Sequence, residues 1–279
     1  MAPPPGNTPG ARPRLDALAP SAHWTASDHA LAFLIDTLRV GGYAVGDRLP
    51  TLHELAAEMN LSHVVVRDAL DVLAEEGIVE IRRGRLGGTY VVTHSGFPRC
   101  LQQLYRDQDV SDIPSLIDVR AIIETEVVLR AAAVVGPAEL ARLHDLLGQM
   151  EKAQGRAPEF TELTVRLHLL MAIMVGNPML TNILRDVINR IAAAGLSAAP
   201  TMPTTAQIKR GYALYCSLVE AVETADRATI RMLVDEHMHL IADIYHLRWQ
   251  SPSDLPAGVG AIAPARDETH RGRKAPGSS

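Results

Sequence analysis

Two helix-start signals eleven residues apart constrain this chain more than any other feature of its sequence. Thr51-x-x-Glu54 is a capping box ahead of Leu55, Ala56 and Met59, so a short helix starts near residue 51. Asn60-Leu61 breaks that helix, and Ser62 caps another that carries Val66, Ala69, Leu70, Leu73 and Ala74 on one side. Gly77 stops it. Ile78 to Arg82 and Thr89 to Val92 are β-prone, and Arg83-Gly-Arg-Leu-Gly-Gly88 joins them as a hairpin. Upstream, Ala30, Phe33, Leu34, Thr37 and Leu38 recur at helical spacing until Gly41-Gly42. Helix, helix, tight turn, helix and hairpin over residues 24–95 describe a winged helix-turn-helix with a small β-hairpin wing.

Beyond residue 96 the pattern changes to helices alone, over roughly 113–135, 137–153, 158–175, 178–196, 204–225 and 226–248, parted by Gly136-Pro137, Gly155 to Pro158, Gly176-Asn177-Pro178 and Pro200 to Pro203. The fold class is therefore mainly α, with an all-α antiparallel bundle over 96–249 after the winged head. Residues 1–23 and 250–279, rich in Pro, Gly, Ser and charge, read as disordered tails. Apolar residues at 47% and charged residues at 21% exclude a wholly disordered chain, and no apolar run reaches membrane-span length. With two cysteines, Cys100 and Cys216, outside any metal-type pair, and no signal-peptide pattern, the expected compartment is the cytoplasm.

Charge does not by itself point to nucleic acid. The net charge is −5, and residues 24–95 hold six arginines (39, 48, 67, 82, 83 and 85) against ten carboxylates. Four of the six fall in the helix after Ser62 or in the hairpin, so any basic surface there is local and geometric. In a helix-turn-helix the first residues of the second helix reach base edges in the major groove. Ser62, His63, Val64, Val65 and Arg67 are those residues, with His63 and Arg67 four apart on one face. Val64 and Val65 suit either thymine methyls or packing beneath the wing. Arg82, Arg83 and Arg85 sit among glycines that let the backbone approach a groove.

The stretches Gly46-Asp-Arg-Leu-Pro-Thr-Leu-His-Glu-Leu-Ala56, Leu61-Ser-His-Val-Val-Val-Arg-Asp-Ala-Leu70 and Glu76-Gly-Ile-Val-Glu80 resemble the GntR family of bacterial transcription regulators. The helical half is similar to the FCD-type sensing domain of the FadR-like subfamily, through Val119-Arg-Ala-Ile-Ile-Glu124, Leu167-His168, Gly176-Asn177-Pro178 and the run Asp226 to His237. The resemblance implies a homodimer on an inverted-repeat operator in double-stranded DNA, most often as a repressor, with a small-molecule effector in the helical domain. Family members commonly have arginine at the positions of His53 and His63, both contacting DNA. Here an imidazole pair replaces two guanidinium forks, which implies a different operator, or phosphate contacts only.

Many FCD-type domains hold a divalent metal, zinc or similar, with an aspartate and three histidines. On this sequence those places are Thr164, His168, Tyr215 and His237. A hydroxyl and a phenol are poor replacements for the lost carboxylate and imidazole, so the sequence favours core histidines around a lost site over a tight metal. The family's cavity arginine falls on Arg120, which with Asn177 is suited to an effector carboxylate without metal. Read from spacing alone, Arg120 and Glu124 are a helix-surface ion pair. No His-Glu-x-x-His, Gly-x-Ser-x-Gly, Walker or dinucleotide motif is present, so an enzyme, metal-dependent or otherwise, is not expected. The rival to a ligand-responsive regulator is a constitutive DNA-binding one that has lost metal and effector.

Overall fold

Thr51 starts its helix as the capping box requires: its Oγ1 accepts from Glu54 N at 3.2 Å while Glu54 Oε2 accepts from Thr51 N at 2.7 Å. The computed structural model in which this is seen describes residues 24–40, 43–84, 87–93, 96–106, 112–198 and 202–251. The tail expectations for 1–23 and 252–279, the Gly41-Gly42 stop and Arg85 lie outside the described residues. The elements run α1 (Ala26–Val40), α2 (Leu52–Met59), α3 (His63–Glu75), β1 (Val79–Arg82), β2 (Gly88–Val91), α4 (Phe97–Leu104) and α5 (Ile113–Val134). Then follow α6 (Pro137–Lys152), α7 (Ala157–Met174), α8 (Pro178–Ala198), α9 (Thr205–Glu223) and α10 (Arg227–Ile244).

The turn between α2 and α3 is made by Asn60, left-handed at φ 53°, and by Ser62, whose Oγ accepts from Val65 N at 3.4 Å. β1 and β2 pair antiparallel with Val79 opposite Val91 and Arg82 opposite Gly88, and a bridge between Arg48 and Tyr90 ties the preceding loop to the wing. Gly88 suits that crossing because its φ of 154° is a conformation side chains rarely adopt, and the Arg48 guanidinium packs where a Cβ would sit. Leu34, Leu38, Leu55, Val66, Leu73 and Ile78 fill the head's core. The larger second core lies within α5 to α10 and holds Leu143, Met150, Leu167 and Leu218.

Two features depart from the sequence expectation. First, α4 falls where no element was assigned: Pro98 opens it and Phe97, Cys100, Leu101 and Leu104 drop into the head's core beside Ala193 of α8. Second, α1 buries charged side chains that its apolar spacing did not mark. Asp36 and Arg39 are buried at 4% and 2% exposure, because α1 lies between α3 on one side and α7 on the other. Arg39 donates through Nε and a terminal nitrogen to both oxygens of Glu162, at 2.8 and 3.0 Å, and at 2.7 Å to Asn189 Oδ1. Arg185 donates to Asp36 at 2.9 Å. One of the six head arginines is therefore a structural tie to the bundle.

Candidate functional site

The N-terminal turn of α3 stands out from the head. His63, Arg67 and the neighbouring His53 of α2 are exposed. The two imidazoles meet, His53 Nδ1 lying 3.3 Å from His63 Nε2 with the rings edge to face. The structure separates the two valines: Val64 is 63% exposed, while Val65 packs against the core. A solvated valine at a helix tip is a poor use of apolar surface unless a partner covers it. On the wing, Arg82 is engaged by Glu80 Oε2 at 2.8 Å and lies over the Tyr90 ring at 4.3 Å, whereas Arg83 is exposed without an ion-pair partner among the described residues. Arg48, which the sequence did not single out, is exposed beside the wing and belongs to the same surface.

The second site is a cavity of about 170 Å³ among α5, α7, α8, α9 and α10. Its polar end is made by Arg120, Thr164, Tyr215 and His237. Behind them is Glu124, fully buried, which accepts from Arg120 Nε at 2.8 Å and from His237 Nδ1 at 2.7 Å. With Nδ1 donating to that carboxylate, neutral His237 presents Nε2 as an acceptor, and the Tyr215 hydroxyl donates to it at 2.9 Å. His168 stacks on His237 with ring centroids 4.6 Å apart, and neither of its buried ring nitrogens has a hydrogen-bond partner.

The charges follow from burial and neighbours. Burial pushes the Glu124 carboxyl up, yet with the Arg120 guanidinium beside it and the His237 Nδ1–H hydrogen bond the group is held well below the usual range, as a carboxylate. Burial pushes both imidazoles down, His168 strongly, so they are neutral. Burial also raises the Tyr215 phenol, which stays protonated. The helix-surface reading of Arg120 and Glu124 is thus corrected: at 6% and 0% exposure the pair is internal, a difference that an i,i+4 spacing cannot reveal. Asn177 is corrected too. Its Oδ1 caps α8 by accepting from Met179 N at 3.1 Å and Leu180 N at 3.3 Å, and it does not line the cavity with Arg120.

Comparison with known proteins assigns both halves. Residues 26–91 match the family described as bacterial regulatory proteins, gntR family, and residues 115–240 match the FCD domain. The chain belongs to the GntR family. A Mycobacterium gastri protein of the HTH-type transcriptional regulator description, RmpR, is 29% identical over 245 residues, 82% of this chain and 86% of that one. The Exu regulon transcriptional regulator of Escherichia coli (strain K12) is 30% identical over 159 residues, 56% of this chain and 59% of that protein. The solved E. coli McbR/YncC aligns at a TM-score of 0.46 and 22% identity, over 80% of this chain and 98% of that one. As a GntR regulator with an FCD domain the chain is a transcription regulator and not an enzyme. Among the described residues no helix is long and apolar enough to cross a membrane.

FCD membership raises the metal question, which the donor set itself answers. Glu124, His168 and His237 bring potential ligand atoms within 4.8 Å of one another. Glu124 is already neutralised by Arg120, however, and both nitrogens of His237 are engaged, by Glu124 and by Tyr215. Thr164 Oγ1 donates to Thr161 O at 2.7 Å, and a protonated phenol is not a metal ligand. His168, with Nδ1 3.4 Å from Glu124 Oε1, is the one without a hydrogen bond of its own, and one imidazole does not make a tight site. The residues present do not fit a resident divalent ion.

Proposed function

We propose that this GntR regulator is a ligand-responsive repressor. It binds an inverted-repeat DNA operator as a homodimer and is released by a small carboxylate seated, without metal, in the cavity of the FCD domain. The observation that carries this reading is Arg120. It is 6% exposed and lines the cavity, and its two terminal nitrogens have no partner among the described residues. A buried planar fork with unmatched donors is suited to a carboxylate. Exposed Val119 and Ile122 on α5, with Met179 and Ile183 on the adjacent α8, support a second copy as partner. Pro98 of α4 also lines the cavity while its neighbours Phe97 and Leu101 sit in the head's core, which supports a route by which a ligand shifts the heads.

Arg120→Lys tests the effector half. Lysine keeps a cation beside Glu124 but removes the fork. Operator release by small carboxylates, followed by fluorescence anisotropy on selected operator DNA, is expected to need at least about tenfold more effector, with unliganded operator affinity unchanged. An unaltered response sinks the assignment.

The operator half rests on α3 and the wing, with His53, Ser62, His63, Val64, Arg67, Arg82 and Arg83 as the reading surface. Its distinctive part is the imidazole pair. The two rings meet at 3.3 Å on the exposed face where phosphates or guanine edges would lie, and each imidazole can donate or accept there. The double variant His53→Ala/His63→Ala is expected to lower operator affinity at least about tenfold at constant salt. Unchanged affinity in that variant would refute it.

A further inference from the structure

We infer that the effector is an apolar-bodied monocarboxylate, a single-ring aromatic acid or a short aliphatic acid, and not a polyhydroxylated acid. This rests on the carboxylate reading of Arg120 and goes beyond it by reading the rest of the cavity. At the polar end every other group is engaged: Tyr215 donates to His237, His237 donates to Glu124, and Thr164 donates to a backbone carbonyl. The donors that remain for a ligand at this end are the two terminal nitrogens of Arg120, the complement of one carboxylate.

Away from that end the walls are Phe160, Ile188, Ile191, Ile208, Leu240 and Ile244. Polar groups among them are few. The Tyr245 hydroxyl donates to Ile191 O at 3.4 Å, and Gln207 Oε1 is engaged by Thr204 N and Oγ1 at 2.8 and 2.9 Å in a capping box, which leaves the Gln207 Nε2 amide. A polyol carried into these walls would bring more hydroxyls than that one amide can meet, and each one left over would lose water without a partner, at roughly tenfold to a hundredfold in affinity. An apolar body loses nothing of this kind and gains from leaving water. Size agrees: a dry apolar cavity of about 150 Å³ accepts benzene, and this one is about 170 Å³ with the Arg120 fork at one end. Gly195 contributes to the shape, since a Cβ there would strike the Tyr245 ring that closes the wall.

Calorimetric titration and thermal shift of the full chain with benzoate, phenylacetate and hexanoate, against glucuronate and gluconate, test the inference. The apolar acids are expected to bind at least tenfold tighter than the sugar acids and to raise Tm with concentration. Ala192→Leu, which fills the cavity from α8 without touching Arg120, should abolish their binding and leave the fold intact. Methyl benzoate should bind at least tenfold more weakly than benzoate. Tighter binding of glucuronate or gluconate overturns the apolar class and leaves the carboxylate reading standing. Methyl benzoate binding as well as benzoate overturns the carboxylate reading and leaves the apolar cavity standing. Absence of binding by every acid overturns both, as does benzoate binding that Ala192→Leu does not alter.

Discussion

Replacing Arg39 by alanine is expected to cost about 3–5 kcal/mol of stability, a large share of what a domain of this size has. The guanidinium is 2% exposed and makes three hydrogen bonds, two to Glu162 and one to Asn189. Truncating it leaves the Glu162 carboxylate in the interior without its hydrogen-bonded partner, with Arg166 as the remaining counter-charge. The matched variant Arg39→Met/Glu162→Leu should behave differently. Burial pushes the Asp36 and Glu162 carboxyls up by more than their arginines pull them down, so desolvation exceeds the Coulombic gain at this tie. An apolar pair of similar volume is therefore expected to recover much of the lost stability, short by what Asn189 Oδ1 without its donor and Arg166 without Glu162 cost. What it should not recover is geometry. Arg39 fixes α1, and with it the head, to α7 and α8, the helices that also wall the cavity with Phe160 and Ile188. Urea unfolding of the two variants, with hydrogen exchange across α1, checks both halves. Faster exchange in α1 of a stable double variant is the expected pairing, and equal instability of single and double variants would show the tie to be a net stabiliser.

That tie also shows where sequence reading stops. The head was legible because its signals are local: a capping box, a left-handed asparagine, a serine cap and a glycine stop lie within about three turns of what they control. The bundle's six helices were legible for the same reason, four of their five breaks carrying Gly or Pro and the fifth an aspartate cap at Asp226. α4 escaped because two amphipathic turns opening on a proline resemble a linker, although the spacing of Phe97, Cys100, Leu101 and Leu104 was the available signal. The role of Arg39 was hidden because an arginine in a helix's last turn is usually solvated, and its partner lies 123 residues away. Asn177 misled in the opposite direction: an Asn ahead of Pro at a helix start is a cap, and a cap is what it is.

The candidate cavity was half legible. Arg120, Thr164, His168, Tyr215 and His237 were named from the resemblance, and four of them, all but His168, line it. Glu124, the group that organises them, was seen only as half of an i,i+4 pair. Its contact with His237 spans 113 residues and leaves no trace in spacing.

Glu124→Ala is accordingly the second large effect expected, again about 3–5 kcal/mol, because it strands the buried Arg120 charge and leaves the His237 Nδ1–H without an acceptor. Here too the matched apolar variant, Arg120→Met/Glu124→Leu, should fall short of the wild type. The charge pair is removed cleanly, but the His237 donor remains unmatched, leaving a deficit of about 1–3 kcal/mol. Adding His237→Phe to that pair should close much of the gap, since it removes the donor. Acid provides an independent readout. His168 and His237 are held below the ordinary histidine range by burial, so below about pH 6.5 the unfolded chain takes up protons that the folded chain refuses. Wild-type stability is thus present above that pH and is lost as pH falls from there. His168→Phe with His237→Phe should make the loss shallower between pH 6.5 and 5. Urea midpoints across that interval decide it: a wild-type midpoint that holds level down to pH 5 would mean that the stacked imidazoles accept a proton in place, with Glu124 as counter-ion, and that the hub is charged and not neutral.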